Sequence, residues 1–388
     1  MKAHQNKTII YVNYSPYENS GKILDYLLEN FKNVSLFSLS FHNLANKKDY
    51  NRLSIYRDGE LQKTYSLFQL PNFSKFVFLL IPLRSLITFF EIILYSIWLA
   101  KKFKRVDMYF TVNAFTAWIG GILKTMGVVH KTIFWVWDYY PPIHENKFIM
   151  LMRYIYWQFD KISSHSDVVA FVNQRLLKLR RDIGIYDKNS KYPIVPIGAD
   201  KIPFSMDKKS RAGLVFGFIG VLKKSQGVDL IFDNATALVK EFGHIQYEIV
   251  GSGPDEGYLK KRAKKSRIKT KFYGYLEGDS YNDVLRKCTI GIATYTPEAS
   301  NVSQYGDPGK VKRYLSLGIP IITTNVIEFA EEIEKSGAGV IVEYGDQKGL
   351  IEAIKKIKGK HDEYRKNAYK LAQKFYYKKV YPRMFTFS

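Results

Sequence analysis

The chain has 388 residues, 46% of them hydrophobic and 24% charged, with a formal net charge of +23. That length predicts two domains of roughly 150 to 200 residues each, the apolar content excludes a disordered chain, and the single Cys288 excludes a disulfide scaffold and suits a reducing compartment. The seven His lack partners at zinc-ligand spacing. The positive charge runs along the whole chain and leaves three readings open: compositional bias towards lysine, an anionic membrane surface, or nucleic acid.

The N-terminal apolar run is too short for a signal-peptide core, so the protein is expected to stay on the side of the membrane where it is made. Lys7 to Asn13 reads as a buried strand, Lys22 to Phe31 as a helix and Asn33 to Leu39 as the next strand, which is the opening of a doubly wound sheet. No GxGxxG follows the first strand, which argues against a nicotinamide or flavin enzyme. Residues 43–75 are polar and irregular and read as an excursion from the sheet. Phe76 to Ala100 is long enough to span a bilayer, but Pro82, Arg84 and Glu91 interrupt it. It is a transmembrane span, a buried sheet-covering helix or a helix lying in the membrane interface, and the basic run Lys101 to Arg105 suits the last. Val106 to Val112 and Lys131 to Val136 are strands around a helix from Ala114 to Met126. The second strand ends in Trp137-Asp138-Tyr139-Tyr140, with His144 close behind. Loops at the carboxyl ends of such strands line ligand crevices, so Asp138 is either a turn cap or a contact to an acceptor hydroxyl. Phe148 to Phe159 is an aromatic helix suited to a core or to a half-wet interface, followed by the strand Asp167 to Val172 and the helix Gln174 to Arg181.

Lys201 to Arg211 is a polar linker. Leu214 to Ile219 is a strand that closes on Gly220, and the loop through Lys223 and Lys224 reaches Gly227, where a helix to Glu241 begins. Tyr247 to Pro254 is a strand with a Gly-x-Gly-Pro turn, Lys271 to Leu276 ends another strand at Tyr275 and Leu276, and Cys288 to Thr294 is a third. Then comes Asp307 to Asn325, DPGKVKRYLSLGIPIITTN. Pro308 and Gly309 turn the chain and a helix starts at Lys310. Val311, Tyr314 and Leu315 share one face of that helix, Gly318 caps it, and Ile321 to Thr324 is a buried strand. A turn feeding a helix start, with a lysine in the first turn, is a phosphate site. Gly339 to Val342 is the last strand, before helices at Lys348–Lys358 and His361–Phe375.

Pro308, Lys310, Tyr314, Leu315, Gly318 and Pro320 together resemble the nucleotide-sugar signature of GT-B-fold glycosyltransferases, glycosyltransferase family 4 in particular. The resemblance implies an α/β fold of two facing Rossmann-like, doubly wound parallel-sheet domains with an interdomain cleft. It places an acceptor domain over 1–204, a donor domain over 205–375 and a return to the first domain over 376–388. Where the family carries carboxylates this sequence has Arg313 and Tyr305. Where it grips the diphosphate with Arg and Lys the sequence has Val221 and Gln226, so Lys223 and Lys224 are the substitutes. Trp137 stands in place of the family's His, and Asp138 matches its Asp.

The resulting expectation is a glycosyltransferase with a nucleoside-diphosphate sugar donor, UDP- or GDP-linked, and a lipid-linked or glycan acceptor in cell-surface glycan biosynthesis. No cofactor or metal is expected, because no Asp-x-Asp is present to bridge a diphosphate. The resemblance implies retention at the anomeric carbon, with Asp138 as an inverting base the open alternative. Lys310, Arg313 and Asp138 are the catalytic candidates. Gly220, Lys223, Lys224, Tyr275, Leu276, Tyr305, Pro308 and Gly309 are expected to bind the donor beside them. The expected place is the inner face of the cytoplasmic membrane, bound peripherally, with no nucleic-acid partner. A sugar-nucleotide epimerase and a non-catalytic basic binding protein are the rival readings.

Overall fold

A computed structural model of the chain describes residues 4–14, 18–39, 51–69, 80–143, 146–204, 213–276, 280–298 and 301–386. His144 and most of the expected linker lie outside them. The chain divides into two compact units, Met1–Pro196 with Val380–Ser388, and Ile197–Lys379.

The first unit is a seven-stranded sheet: β1 (His4–Asn13), β2 (Phe31–Ser38), β3 (Arg52–Arg57), β4 (Glu60–Ser66), β5 (Met108–Thr111), β6 (Lys131–Val136) and β7 (Val168–Phe171). Their order is β4-β3-β2-β1-β5-β6-β7. Pairing is parallel from β2 through β7, and β3 and β4 add an antiparallel hairpin to the edge. The segment expected to leave the sheet is therefore part of it. Its turn is Asp58-Gly59, both at positive φ (51° and 87°), the conformation a two-residue hairpin needs. The composition misled because β4 is an edge strand that is almost wholly exposed and so reads as polar. Asn113, Asn146 and Asn173 cap the helices Ala114–Thr125, Lys147–Ser163 and Gln174–Asp182, each accepting first-turn N–H groups through its side chain.

Two helices of this unit are turned against the usual pattern. In Ile81–Phe103 the buried residues are Arg84, Thr88, Ile92, Ser96 and Leu99, whereas Leu83, Leu86, Phe90, Leu94 and Trp98 are exposed along one stripe. In Lys147–Ser163 only Asp160 and Ser163 are buried, with Met150, Leu151, Tyr154, Ile155 and Ile162 exposed. Several inward polar groups have partners: Asp160 pairs with Arg180, Ser163 donates to the carbonyl of Ala114 at 2.8 Å, and Thr88 bonds to Tyr14, whereas the buried Ser96 hydroxyl has none among the described residues. Ile81–Phe103 is thus not the all-round buried helix of one sequence reading.

The second unit is a six-stranded parallel sheet of β8 (Leu214–Ile219), β9 (Ile245–Val250), β10 (Lys269–Phe272), β11 (Ile290–Ala293), β12 (Ile321–Thr323) and β13 (Gly339–Ile341). Their order is β10-β9-β8-β11-β12-β13, with an apolar layer on each face. The expected helix from Gly227 is two short ones, Leu230–Asp233 and Ala235–Phe242. Residues 197–204 belong to this unit rather than to the first. Ala199 and Ile202 lie in its core, and Phe204 stacks on Tyr369 at 4.6 Å. Phe204 also occupies the space over Gly318, where an added Cβ would meet its ring at 2.2 Å.

Candidate functional site

In the second unit the chain runs from β8 to one side of the sheet and from β11 to the other, so the crevice beyond their carboxyl ends is the topological switch point. Glycines let four loop segments converge there. Gly220 has φ +140° and Gly251 φ +133°, and a Cβ on Gly251 would stand 1.9 Å from the Gly220 carbonyl. Gly227 has φ +65°, and a Cβ on it would fall 1.5 Å from the carbonyl oxygen of Thr294. No side chain fits at either position.

The helix Gly309–Ser316 points its start at this crevice. Pro308 is the cap residue in extended conformation, and the added-Cβ position of Gly309 meets nothing within 4 Å. In its first turn the Val311 N–H donates to the Pro308 carbonyl at 3.2 Å, which leaves those of Gly309 and Lys310 with no acceptor inside the helix. Lys310 sits between the rings of Phe218, in β8, and Tyr295, just past β11, with its ammonium 4.4 Å from each centroid. It donates to Gln226 Oε1 at 2.9 Å, and Gln226 in turn donates to the Ser303 hydroxyl at 3.3 Å. Burial of the ammonium pushes its pKa down to about 7. A cation held without a carboxylate, beside free N–H groups and open space, is arranged to receive an anion.

Tyr314 holds the helix in place. Its hydroxyl accepts from the Ile219 N–H at 3.0 Å and lies 3.2 and 3.3 Å from the carbonyls of Gly217 and Ile292. It therefore bridges β8 and β11, with Gly291 leaving room for its ring. The motif tyrosine is a strut. Lys312, which the sequence did not single out, is buried and paired with Asp307. It donates to the Ile197 carbonyl at 2.7 Å, while Asp307 accepts from the Ile197 N–H at 2.6 Å. That clamp fixes the approach to the helix.

The other candidates are placed as follows. Arg313 does not share the neighbours of Lys310: its guanidinium is 3.5 Å from Asp200 and 5.1 Å from the Tyr281 ring. Lys223 is exposed, and Lys224 lies 4.4 Å over the Tyr258 ring while its N–H donates to Asp255. Neither is within the contacts of Lys310, whose loop partner is instead Gln226. Tyr275 is exposed and Leu276 half-buried, after Gly274, whose carbonyl accepts from the Gly251 N–H at 2.7 Å. Tyr305 ends a short turn of helix at Val302–Tyr305. Asp138 lies in the first unit just past β6. Its side chain reaches water, yet the protein crowded around it raises its pKa, against a hydrogen bond from Tyr140 that lowers it. Trp137 packs edge-on against Trp135 at 5.2 Å. Among the described residues no group of three His, Cys, Asp or Glu is placed to hold a metal.

Residues 213–358, within the second unit, match the family model described as Glycosyl transferases group 1. No curated protein sequence matches the chain. Solved structures do. A sucrose-phosphate synthase from Thermosynechococcus elongatus aligns with TM-score 0.65 at 14% identity, over 98% of both chains. HepE from Anabaena, solved with UDP-glucose, aligns with TM-score 0.63 at 12% identity, again over 98% of both. The lipopolysaccharide outer core galactosyltransferase WaaB gives 0.60 at 16%, over 98% of this chain and 99% of that one. These likenesses show the fold, which is GT-B.

Proposed function

We propose that this chain, with its match to the group 1 glycosyl transferases and its GT-B fold, transfers a sugar from a nucleoside-diphosphate donor to a lipid-linked or glycan acceptor at a membrane surface. The observation that carries the reading is Lys310, held between Phe218 and Tyr295 at the switch point beside a helix start. As the anomeric carbon–oxygen bond breaks, the departing diphosphate keeps the electron pair and gains charge. Lys310 and the first-turn N–H groups lie where that charge develops. HepE was solved with UDP and with UDP-glucose, which makes UDP the first nucleotide to try. The acceptor oxygen attacks the anomeric carbon and its proton must leave. If configuration is retained, which we propose, the departing diphosphate takes that proton on the face it leaves and Asp138 is a contact to the acceptor hydroxyl; if configuration is inverted, Asp138 takes it as the base.

The membrane part of the proposal rests on the first unit. Its two outward apolar helix stripes match a bilayer surface. Ile81–Phe103 is long and apolar enough to cross a membrane by length and composition, but its inward face carries Arg84 and Glu91 and packs on protein, which favours lying in the interface. Lysines flank the stripes, with Lys102 4.9 Å over Trp98 and Lys161 4.0 Å over Trp157. Lys101, Lys104 and Arg105 complete a basic end that complements anionic lipid.

The test is a thermal-shift panel of UDP, GDP, ADP, CMP and dTDP. A nucleotide at about a hundred times its dissociation constant stabilises the fold by roughly 2.7 kcal/mol, several degrees for units this size. A folded protein that none of them shifts has no donor site of this kind.

A further inference from the structure

Behind the first unit's sheet, where β5 and β6 begin rather than end, lies a hollow of about 780 Å³. The carboxyl ends of the strands, where Asp138 sits, are at the opposite edge. Lys104, Arg105, Lys124, His130, Lys131 and Lys191 line it, and among the described residues Asp167 is the one acidic residue in its wall. The carboxylates nearby are already engaged. Asp167 pairs with Lys124 at 2.5 Å and accepts from the N–H and hydroxyl of Thr132. Asp107 pairs with Arg105 at 2.7 Å and accepts from the Thr8 N–H. The wall keeps a surplus of positive charge facing a shaped volume.

Two further observations say how that wall is held. The strand starts tie the wall together through main-chain bonds, His130 N–H to Val106 and Lys131 N–H to Asp107, each 3.1 Å, so the cations stand on a fixed frame rather than a loose loop. Lys104, at φ +64°, is the left-handed residue that ends the helix Ile81–Phe103, so the close of that helix fixes where its side chain enters the wall. Crowding by burial and by Lys191, Lys7 and Lys124 lowers the pKa of Lys131, against the pull of Asp167. A bound anion would relieve that repulsion.

We infer that this hollow is a binding site for a phosphate-bearing anion. Lys131 and Lys191 are its central contacts, and Lys104 and Arg105 are supplied by the end of the exposed apolar helix. The ligand is either the phosphodiester of an anionic lipid, met as that helix lies on the membrane, or a soluble polyphosphate. The inference does not depend on sugar transfer.

Inorganic pyrophosphate, titrated calorimetrically into the full chain and into Lys310→Ala, separates this site from the donor site. Binding should persist in Lys310→Ala and weaken in Lys131→Ala/Lys191→Ala by roughly tenfold or more, the scale of a hydrogen bond between charged partners. Lys131→Arg/Lys191→Arg should restore it. Lys264→Ala/Lys265→Ala, which removes the same charge from the second unit, should leave it intact. Flotation with phosphatidylglycerol vesicles gives the source: displacement by pyrophosphate identifies a lipid headgroup, and indifference to it a soluble ligand. The inference fails if pyrophosphate does not bind Lys310→Ala, or if the two double variants lose affinity equally.

Discussion

Lys310 couples the stability of the protein to its chemistry. Its ordinary pKa is 10.5, and burial lowers it to about 7. Between those values the unfolded chain holds a proton that the folded chain has given up, so stability rises with pH across that window, and below about pH 7 the cost of burying the charge is carried in full. Lys310→Met should therefore melt several degrees higher than the parent near pH 7 and lose that advantage above about pH 10. The same variant should lose turnover by roughly a hundredfold or more, the scale of removing one group that stabilises developing charge. Nucleoside diphosphate binding near pH 8 should draw a proton onto Lys310, seen as a binding enthalpy that changes with buffer ionisation heat in the parent and not in the variant. Arg313 answers to a different neighbour. Arg313→Glu sets a carboxylate against Asp200 and should cost about 1 kcal/mol of stability, as partly exposed charge pairs do, while the nucleotide dissociation constant stays within about twofold. A larger loss of affinity would return Arg313 to the donor site. The lysine was legible in the sequence because Pro-x-Lys before an amphipathic run has a local meaning. The partners of Arg313 and the buried Asp307–Lys312 pair were not, because Asp200 and Ile197 reach them only through the tertiary fold.

At the scale of elements the glycines divide sharply. Gly227 and Gly251 are places where two loops touch backbone to backbone, whereas Gly309 faces open space. Gly227→Ala should leave the second unit misfolded, a loss of several kcal/mol from clash and from positive φ together. Gly309→Ala should fold normally, with a helix favoured by about 0.5–1 kcal/mol over glycine, but should bind nucleotide more weakly because its methyl fills the approach to the helix start. Thermal melts with and without nucleotide distinguish the two. Strands such as β8, β11 and β12 were legible because each is a run of buried apolar residues, and β8 and the first unit's β6 have the bounds expected from sequence; β10, polar and only half-covered, lies at Lys269–Phe272, ahead of the stretch from Lys271 to Leu276 that was expected. The β3–β4 hairpin was not read although Asp58-Gly59 announced it, since its outer strand offers no apolar alternation. The orientation of the exposed helices was beyond pattern reading for a different reason. A periodic stripe says that one face is apolar, and only packing decides whether that face is turned in or out.

At the scale of the whole molecule that orientation is the testable claim. Leu86 and Leu94 are on the exposed stripe, so Leu86→Glu/Leu94→Glu should leave the melting temperature nearly unchanged, as surface substitutions do. The same variant should sharply reduce flotation with anionic vesicles, and parent binding should weaken as salt is raised. A parent that never floats would leave the net charge of +23 as a compositional bias. Connectivity has a consequence of another kind. Tyr381 and Phe385 are fully buried in the first unit. Phe385 packs on Tyr26, Phe31 and Phe110, and the Tyr381 hydroxyl donates to the Gly21 carbonyl at 2.6 Å. The first unit is thus completed by residues that are made only after the whole of the second. Until those residues emerge its core waits open on one side, while the second unit, continuous from Ile197 to Lys379, is free to close as it is made. The usual order, amino-terminal domain first, is reversed here by a handful of aromatic side chains, and a chain cut before Val380 would leave an intact second unit beside a first unit unable to finish folding.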